Sequence, residues 1–562
     1  MDNQRLFTWG LFGLLLVMCW NAWQVDYGPK PAPSEQTPAD GVGSADRALS
    51  DQLPTIAAPD NASEPASDVP VLASPISTDP SRIVRVNTDV LNVEIDLDGG
   101  NIVGAVLTGY PVAKNRPDEL VTLLSSDGDP YGVVQTGVLF AGANTQSPSH
   151  LATFESMSRE YTLADGEESV DVALTWTRDD GVSARKVFRF FRDSYQIDVL
   201  YTLRNPTDTP INAGPYGRIE REAKVPERSM FDVQSYSFTG PVMSDGSTYD
   251  KYDIDDLQDG ETEKFSTAGG WIAAIQYHFA IALVPPPEEE WNYDVSATAN
   301  AFNVSALASK ARITVASGGS AETSLTLFIG PKLQKQLGAI SPKLPLTVDY
   351  GILTLLSSPL FTVLQWVHNV VGNWGWAIII VTILIKLVFY PLTAASGRSM
   401  AKMRELAPRL KNLQERYKDD RPELSRQMME LYKREKINPA AGCLPLLIQM
   451  PFFLAFYWVL LESVEMRQAP FMLWIQDLSS RDPIFVLPLL MGAAMLVQQK
   501  LNPAPPDPVQ AKVMSILPVV FTVFFAFFPA GLVLYWLSNT LLTIVQQWRI
   551  NSVVAREQAA RS

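Results

Sequence analysis

One cation stands where hydrocarbon is expected. Lys386 lies inside the apolar run WAIIIVTILIKLVFYPL, and an ammonium near the middle of a bilayer costs about 2.5–3.5 kcal/mol on insertion scales. Either it sits close enough to the end of the run, near Pro391, to reach the headgroups, or it lines a water-filled cavity among helices. Thr382, one turn away on the same helical face, fits a polar stripe. Later apolar runs carry neutral groups that can face it: Gln449, and then Ser538 and Asn539 beside Tyr535 and Trp536. No Asp or Glu falls inside any of these runs. A proton or sodium pump usually relies on such a carboxylate. A cationic groove without one suits the transient shelter of a polar or acidic stretch of chain.

Other chemistry is sparse. The three histidines, His150, His278 and His368, are scattered, and the two cysteines, Cys19 and Cys443, both fall in apolar segments. No HExxH, paired CxxC, Walker or GxSxG pattern occurs, so no cofactor or metal is expected. His368 reads as an interfacial polar residue.

The elements that position Lys386 follow from how the composition is distributed. The chain has 562 residues, is 47% hydrophobic and carries a formal net charge of -15. Those values conflict until the chain is divided. The acidic, polar residues dominate before about 350 and the apolar runs cluster after Leu353, so the acidity belongs to a soluble domain and argues against nucleic acid as its partner. Residues 1–27 hold the apolar run Leu6–Trp23, long enough to span a bilayer core. No small-x-small cleavage site follows it, which favours an uncleaved anchor over a signal peptide. Residues 28–80 carry ten prolines among Ala, Ser, Asp and Glu, a disordered linker composition.

From 81 to 345 the pattern has period two. Leu91, Val93, Ile95 and Leu97 alternate with polar residues before Asp98-Gly99-Gly100. Val170–Trp176 and Ile197–Leu203 repeat the scheme. Alternation with Gly/Asp turns predicts half-buried antiparallel strands and a large β-sandwich. Residues 350–371 mix apolar residues with Ser357, Pro359, Gln365 and His368, and predict an amphipathic helix lying in the membrane interface. Five further spans are expected near Trp374–Tyr390, Leu444–Leu461, Ile484–Gln498, Val513–Phe528 and Gly531–Gln547, within a membrane core over 372–550. With the N-terminal anchor the total is six. The fold class is thus a polytopic α-helical membrane protein with a β-sandwich domain.

Orientation comes from charge. The loop between the second and third spans is strongly basic, with Lys402, Arg404, Arg409, Lys411 and Arg416 among its cations. The positive-inside rule puts it in the cytoplasm. Both termini, including the tail at 551–562, then lie inside and the β-domain outside. Within the loop, Met403, Leu406, Leu410 and Leu413, then Leu424, Met428 and Leu431, recur at helical spacing around Asp419-Asp420-Arg421-Pro422. They predict a helical hairpin over 396–437. It is either a self-packed solvated hairpin or a docking surface for ribosomes, targeting factors or anionic lipid.

Four stretches, GNWGWAIIIVTILIKLVFYPLT, KINPAAGCLPLLIQMPFFLAFYWVL, VEMRQAPFMLWIQDLS and FPAGLVLYWLSNTLLTIVQQ, resemble the membrane core of the YidC insertases, relatives of the mitochondrial Oxa and chloroplast Alb proteins. The resemblance covers about residues 350–550, and the anchor, linker and large β-domain match the Gram-negative layout. It implies a bacterial inner-membrane protein that inserts and folds nascent membrane proteins without enzymatic chemistry, alone or with the Sec translocon. It further implies a hydrophilic groove open to the cytoplasm and to lipid, with the family's charged position at Lys386, where the commoner residue is Arg. Thr382, Gln449, Tyr535 or Trp536 carry over as groove positions, with Met450 and Phe453 as client contacts. The β-domain of such proteins resembles sugar epimerases, yet with only His150 and His278 available epimerase chemistry is not expected. A secondary transporter and a cell-envelope enzyme with its site in the β-domain are the alternatives.

Overall fold

Apolar–polar alternation becomes strand wherever a turn residue lets the chain reverse. The computed structural model describes residues 79–562 apart from 129–130, 142–144, 224–236, 261, 298–302, 310–312, 418–419, 436–443, 502–507 and 560–562. The expected anchor at 1–27 and nearly all of the linker at 28–80 lie outside the described residues, as do Cys19 and Cys443. Strand Leu91–Asp96 pairs antiparallel with Asn101–Ala113. Between them Gly99 and Gly100 take φ of 92° and 58°, a left-handed backbone that a side chain would strain. Val93 and Ile95 are buried while Glu94 is exposed and pairs with Arg85.

Among the described residues the strands form two sheets, one of eleven and one of nine. Neighbours are antiparallel except for Ile83–Asn87 beside Glu160–Thr162. The strands expected at 170–176 and 197–203 are Ser169–Thr177 and Gln196–Arg204, adjacent to Ser183–Phe191 in the smaller sheet. Both sheets feed one apolar core containing Trp271, Trp291, Tyr201 and Phe328. Each large side chain buried there contributes about 1.5–3 kcal/mol.

A lysine crosses that core. Lys186 of Ser183–Phe191 is fully buried, and its Nζ donates to the carbonyls of Gly100 at 2.6 Å and Thr136 at 2.9 Å, both on the larger sheet's side. The rings of Phe188, Phe154 and Tyr201 surround it at 4.9–5.6 Å. Tyr201 adds a second cross-sheet bond, donating to Thr136 Oγ1 at 3.0 Å. Burial pushes the Lys186 amine well below its ordinary pKa. Its N–H donors are met by these two backbone carbonyls.

The core continues through Leu344, Val348 and Tyr350 into the helices. These are α1 (Thr354–Val371), α2 (Trp374–Val388), α3 (Tyr390–Arg416), α4 (Arg421–Arg434), α5 (Leu444–Glu462), α6 (Val486–Leu501), α7 (Pro508–Phe525) and α8 (Ala530–Ala559). The amphipathic element expected at 350–371 is α1, which buries Phe361, Leu364 and Val367 and exposes Leu355, Trp366 and Val370. It ends at Gly372, whose φ of 67° makes the left-handed cap. Asn373 then caps α2, accepting from the amide of Trp376. The expected span Trp374–Tyr390 stops two residues early, because Pro391 has no amide to continue the ladder.

Among the described residues no single helix is both long and apolar enough to cross a membrane alone. Helix α2 and the start of α3, to Arg398, meet that length and composition together, bent by 61°. Helices α3 and α4 form the expected hairpin. Asp420 caps α4 through the amide of Glu423, and Leu406 and Leu410 pack with Met428, Leu431 and Tyr432.

The β-domain closes on the end of α5. Terminal carbonyls of a helix lack partners within it. Here Leu461 O accepts from Tyr277 Oη at 2.8 Å and faces His278 Nε2 at 3.3 Å. Glu462, buried, takes a hydrogen bond from Ser237 at 2.6 Å and lies 3.6 Å from the equally buried Lys332. Arg467 and Gln468 donate to the carbonyl of Pro111.

Candidate functional site

The long, bent apolar elements bring three of the six expected groove residues together. Lys386 Nζ, on α2, donates to Thr543 Oγ1 on α8 at 2.9 Å and to Gln449 Oε1 on α5 at 3.5 Å. Gln449 Nε2 in turn donates to Asn539 Oδ1 at 2.9 Å. The Thr543 hydroxyl donates back to the Asn539 carbonyl at 2.7 Å, closing the set. No ion pair to Lys386 occurs among the described residues. The charge is therefore met only by neutral oxygens, which solvate an ammonium without cancelling it.

Helical spacing explains the layer. Tyr535, Asn539 and Thr543 recur every four residues on α8, each step about 6 Å along the axis. Asn539 and Thr543 therefore share a stripe. Thr543 was missing from the sequence reading, although its place one turn beyond Asn539 is the signal that finds it. One turn further, Gln546 Nε2 donates to Thr393 Oγ1 at the start of α3.

Tyr535 and Trp536 are not part of the polar set, contrary to expectation. Tyr535 is buried, stacks on Phe453 at 5.8 Å and meets Phe456 at 4.7 Å. Trp536 meets Phe453 edge-on at 4.6 Å and Phe525 at 5.0 Å. Ring bodies of this size gain more from packing than from facing water. They form an aromatic layer one turn nearer the β-domain side. Phe453, expected as a client contact, lies in that layer, whereas Met450 is 40% exposed. Thr382 is buried and its hydroxyl turns back to the Ile378 carbonyl at 2.6 Å, so it adds no free polar group to the set.

Of the hairpin cations, Arg409 pairs with Glu435 at 3.0 Å across the two helices and Arg416 is exposed. The side chains of Lys402, Arg404 and Lys411 lie outside the described ones. In the β-domain His150 is buried, its Nδ1 2.5 Å from Tyr216 Oη. Burial, with the charge of Arg218 nearby, lowers its pKa to about 3. His278 is equally buried at the junction. Among the described residues no group of acids, histidines and cysteines could hold a metal.

Two family models match the chain in succession: the YidC periplasmic domain over residues 83–363 and the 60Kd inner membrane protein over 366–557. The chain is 47% identical to the membrane protein insertase YidC of Thioalkalivibrio sulfidiphilus, over 98% of both chains. To that of Nitrosococcus oceani it is 44% identical, over 99% of this chain and 100% of the relative. Among solved structures, an active YidC insertase with its first transmembrane domain resolved aligns at 18% identity. That alignment covers 84% of this chain and 94% of the other, with a TM-score of 0.36. With both halves matched in order and the full-length identity this high, the chain belongs to the YidC family of membrane protein insertases.

Proposed function

We propose that this chain inserts and folds other proteins in the bacterial inner membrane, using the polar layer around Lys386 as a way station. The observation that carries the reading is the pairing of one ammonium with Thr543 and Gln449, the latter bonded on to Asn539, inside apolar helices and with no ion-pair partner among the described residues. A client's polar or acidic segment enters from the side of the basic hairpin and exchanges water for this layer. The aromatic layer of Phe453, Tyr535 and Trp536 blocks onward passage. The client's apolar segment leaves sideways past Met450 on α5, drawn by about 0.8 kcal/mol for each CH2 group moved into lipid. The chain lowers a barrier and supplies no chemical energy, so it acts without catalysis or cofactor.

The membrane arrangement belongs to the same proposal. The anchor and the five apolar runs after 372 make six crossings, α1 lies in the interface, and the β-domain faces the periplasm with both termini inside. The exposed Leu355, Trp366 and Val370 support the interfacial placement of α1. The hairpin, through Lys402, Arg404, Arg409, Lys411 and Arg416, receives ribosomes or targeting factors and anionic lipid, and the Sec translocon is a partner for larger clients.

The test uses purified protein in sealed liposomes with a single-span client, scored by protease protection. Wild type and Lys386→Arg insert well above empty liposomes and Lys386→Leu falls toward them. No insertion above empty liposomes by folded wild type overturns the reading. Removing residues 30–320 leaves insertion intact; abolished insertion with normal expression would favour a β-domain enzyme instead.

A further inference from the structure

The polar layer contains an asymmetry in who donates and who accepts. An ammonium has donors only, so Thr543 Oγ1 and Gln449 Oε1 must both accept from Lys386. A hydroxyl can rotate and an amide can flip, and either motion would turn a donor toward the ammonium. Both motions are blocked by one residue. The Asn539 carbonyl takes the Thr543 proton at 2.7 Å, and Asn539 Oδ1 takes the Gln449 amide proton at 2.9 Å.

We infer that Asn539 and Thr543 are positioning residues that hold Lys386 as a fixed cationic post. Two of the three ammonium protons are committed to Thr543 Oγ1 and Gln449 Oε1, and one remains for the client. The groove then offers a single directed charge, matched to one carboxylate or one peptide carbonyl at a time. An untethered lysine would sweep its four-carbon stem through many rotamers and lose that direction. Thr543 matters through its acceptor oxygen, and Asn539 through the orientation it imposes on Gln449, which lies on another helix. The backbone carbonyl of Asn539 survives any substitution there, so Asn539→Ala frees the amide alone while Thr543→Val removes an acceptor outright.

This inference rests on the insertase reading, and the experiment separates the two. Insertion into proteoliposomes is measured for wild type, Thr543→Val, Thr543→Ser, Asn539→Ala, Lys386→Leu and the double variant Lys386→Leu/Thr543→Val. The single-span client carries either one Asp or one Asn in its translocated tail. Losing one acceptor to a charged donor predicts a roughly tenfold fall for Thr543→Val and a smaller fall for Asn539→Ala. Thr543→Ser restores wild-type rates. Both losses are expected with the Asp client and shrink with the Asn client. In the Lys386→Leu background, Thr543→Val should add nothing, because a positioning residue has no effect without the group it positions. A full Thr543→Val loss that persists in the Lys386→Leu background, or is equal for both clients, overturns the inference and makes Thr543 a packing residue. Wild-type insertion by Thr543→Val, where Lys386→Leu is impaired, also overturns it. Equal insertion by wild type and Lys386→Leu removes the groove reading itself.

Discussion

Two lysines are withdrawn from bulk water in this chain, and their acceptors differ in kind. Lys186 in the β-domain is fully enclosed and bonded to two backbone carbonyls, which the flanking strands hold still. Lys386 among the helices is half-buried and bonded to a hydroxyl and a side-chain amide, each held in turn by Asn539. Backbone acceptors make a permanent tie between sheets. Side-chain acceptors hold the cation at a layer between helices, with no ion-pair partner among the described residues. The same residue type is a fastener in one region and a handle in the other.

The sharpest way to break this contrast is to truncate both. Lys186→Ala opens a cavity and strands two carbonyls, and should cost the β-domain about 3–5 kcal/mol in denaturant unfolding of the full chain. Lys386→Ala should leave β-domain unfolding unchanged and lower client insertion. A stable Lys186→Ala protein would reduce that lysine to a passenger. At the junction, Lys332→Ala leaves Glu462 buried without its cation and should destabilise the docked state by about 3 kcal/mol, read as faster hydrogen exchange around Tyr277 and Leu461. Adding Glu462→Gln should recover part of that loss.

Acid provides a gentler probe. The folded state keeps His150 neutral down to about pH 3, against 6.5 for the free side chain. Between those values the unfolded chain binds the extra proton, so stability is full above 6.5 and falls as pH drops through the window. His150→Gln should flatten that slope in β-domain melting curves, and an unchanged slope would assign it to other groups. Among the helices, Asn373→Ala removes the α2 cap and should cost about 1 kcal/mol, seen as earlier exchange of the Trp376 amide. Smallest is Arg409→Ala. Its pair with Glu435 is solvent-exposed and should contribute within about 0.5 kcal/mol, so a large drop in hairpin helicity would contradict the surface placement.

Local order was readable from the residues because its causes are local. Period-two runs gave strands within a residue or so of those observed at Leu91–Asp96, Ser169–Thr177 and Gln196–Arg204. The hairpin helices followed from apolar spacing around Asp420. The Lys386–Gln449–Asn539 set was foreseeable because each member is polar in an apolar run, a conflict visible without coordinates. What escaped had distant causes. Lys186 was not singled out, and nothing near it in sequence announces Gly100 or Thr136. Tyr535 and Trp536 were carried over as groove positions from the resemblance, whereas the packing of their rings decided where they sit. Glu462 falls just past the expected span Leu444–Leu461, and its partner, Lys332, is far away in sequence.

That last pairing also has a temporal side. The chain is made from its N-terminus, so Lys332 is present long before Glu462 exists. The β-domain can complete its sheets while one of its buried faces still lacks a helix end to cap and an acid to meet. The seam closes only when α5 has arrived with Leu461 and Glu462 in reach of Tyr277 and Lys332. During synthesis the junction is thus a gauge of where α5 ends: a helix end displaced from it leaves the waiting lysine unanswered.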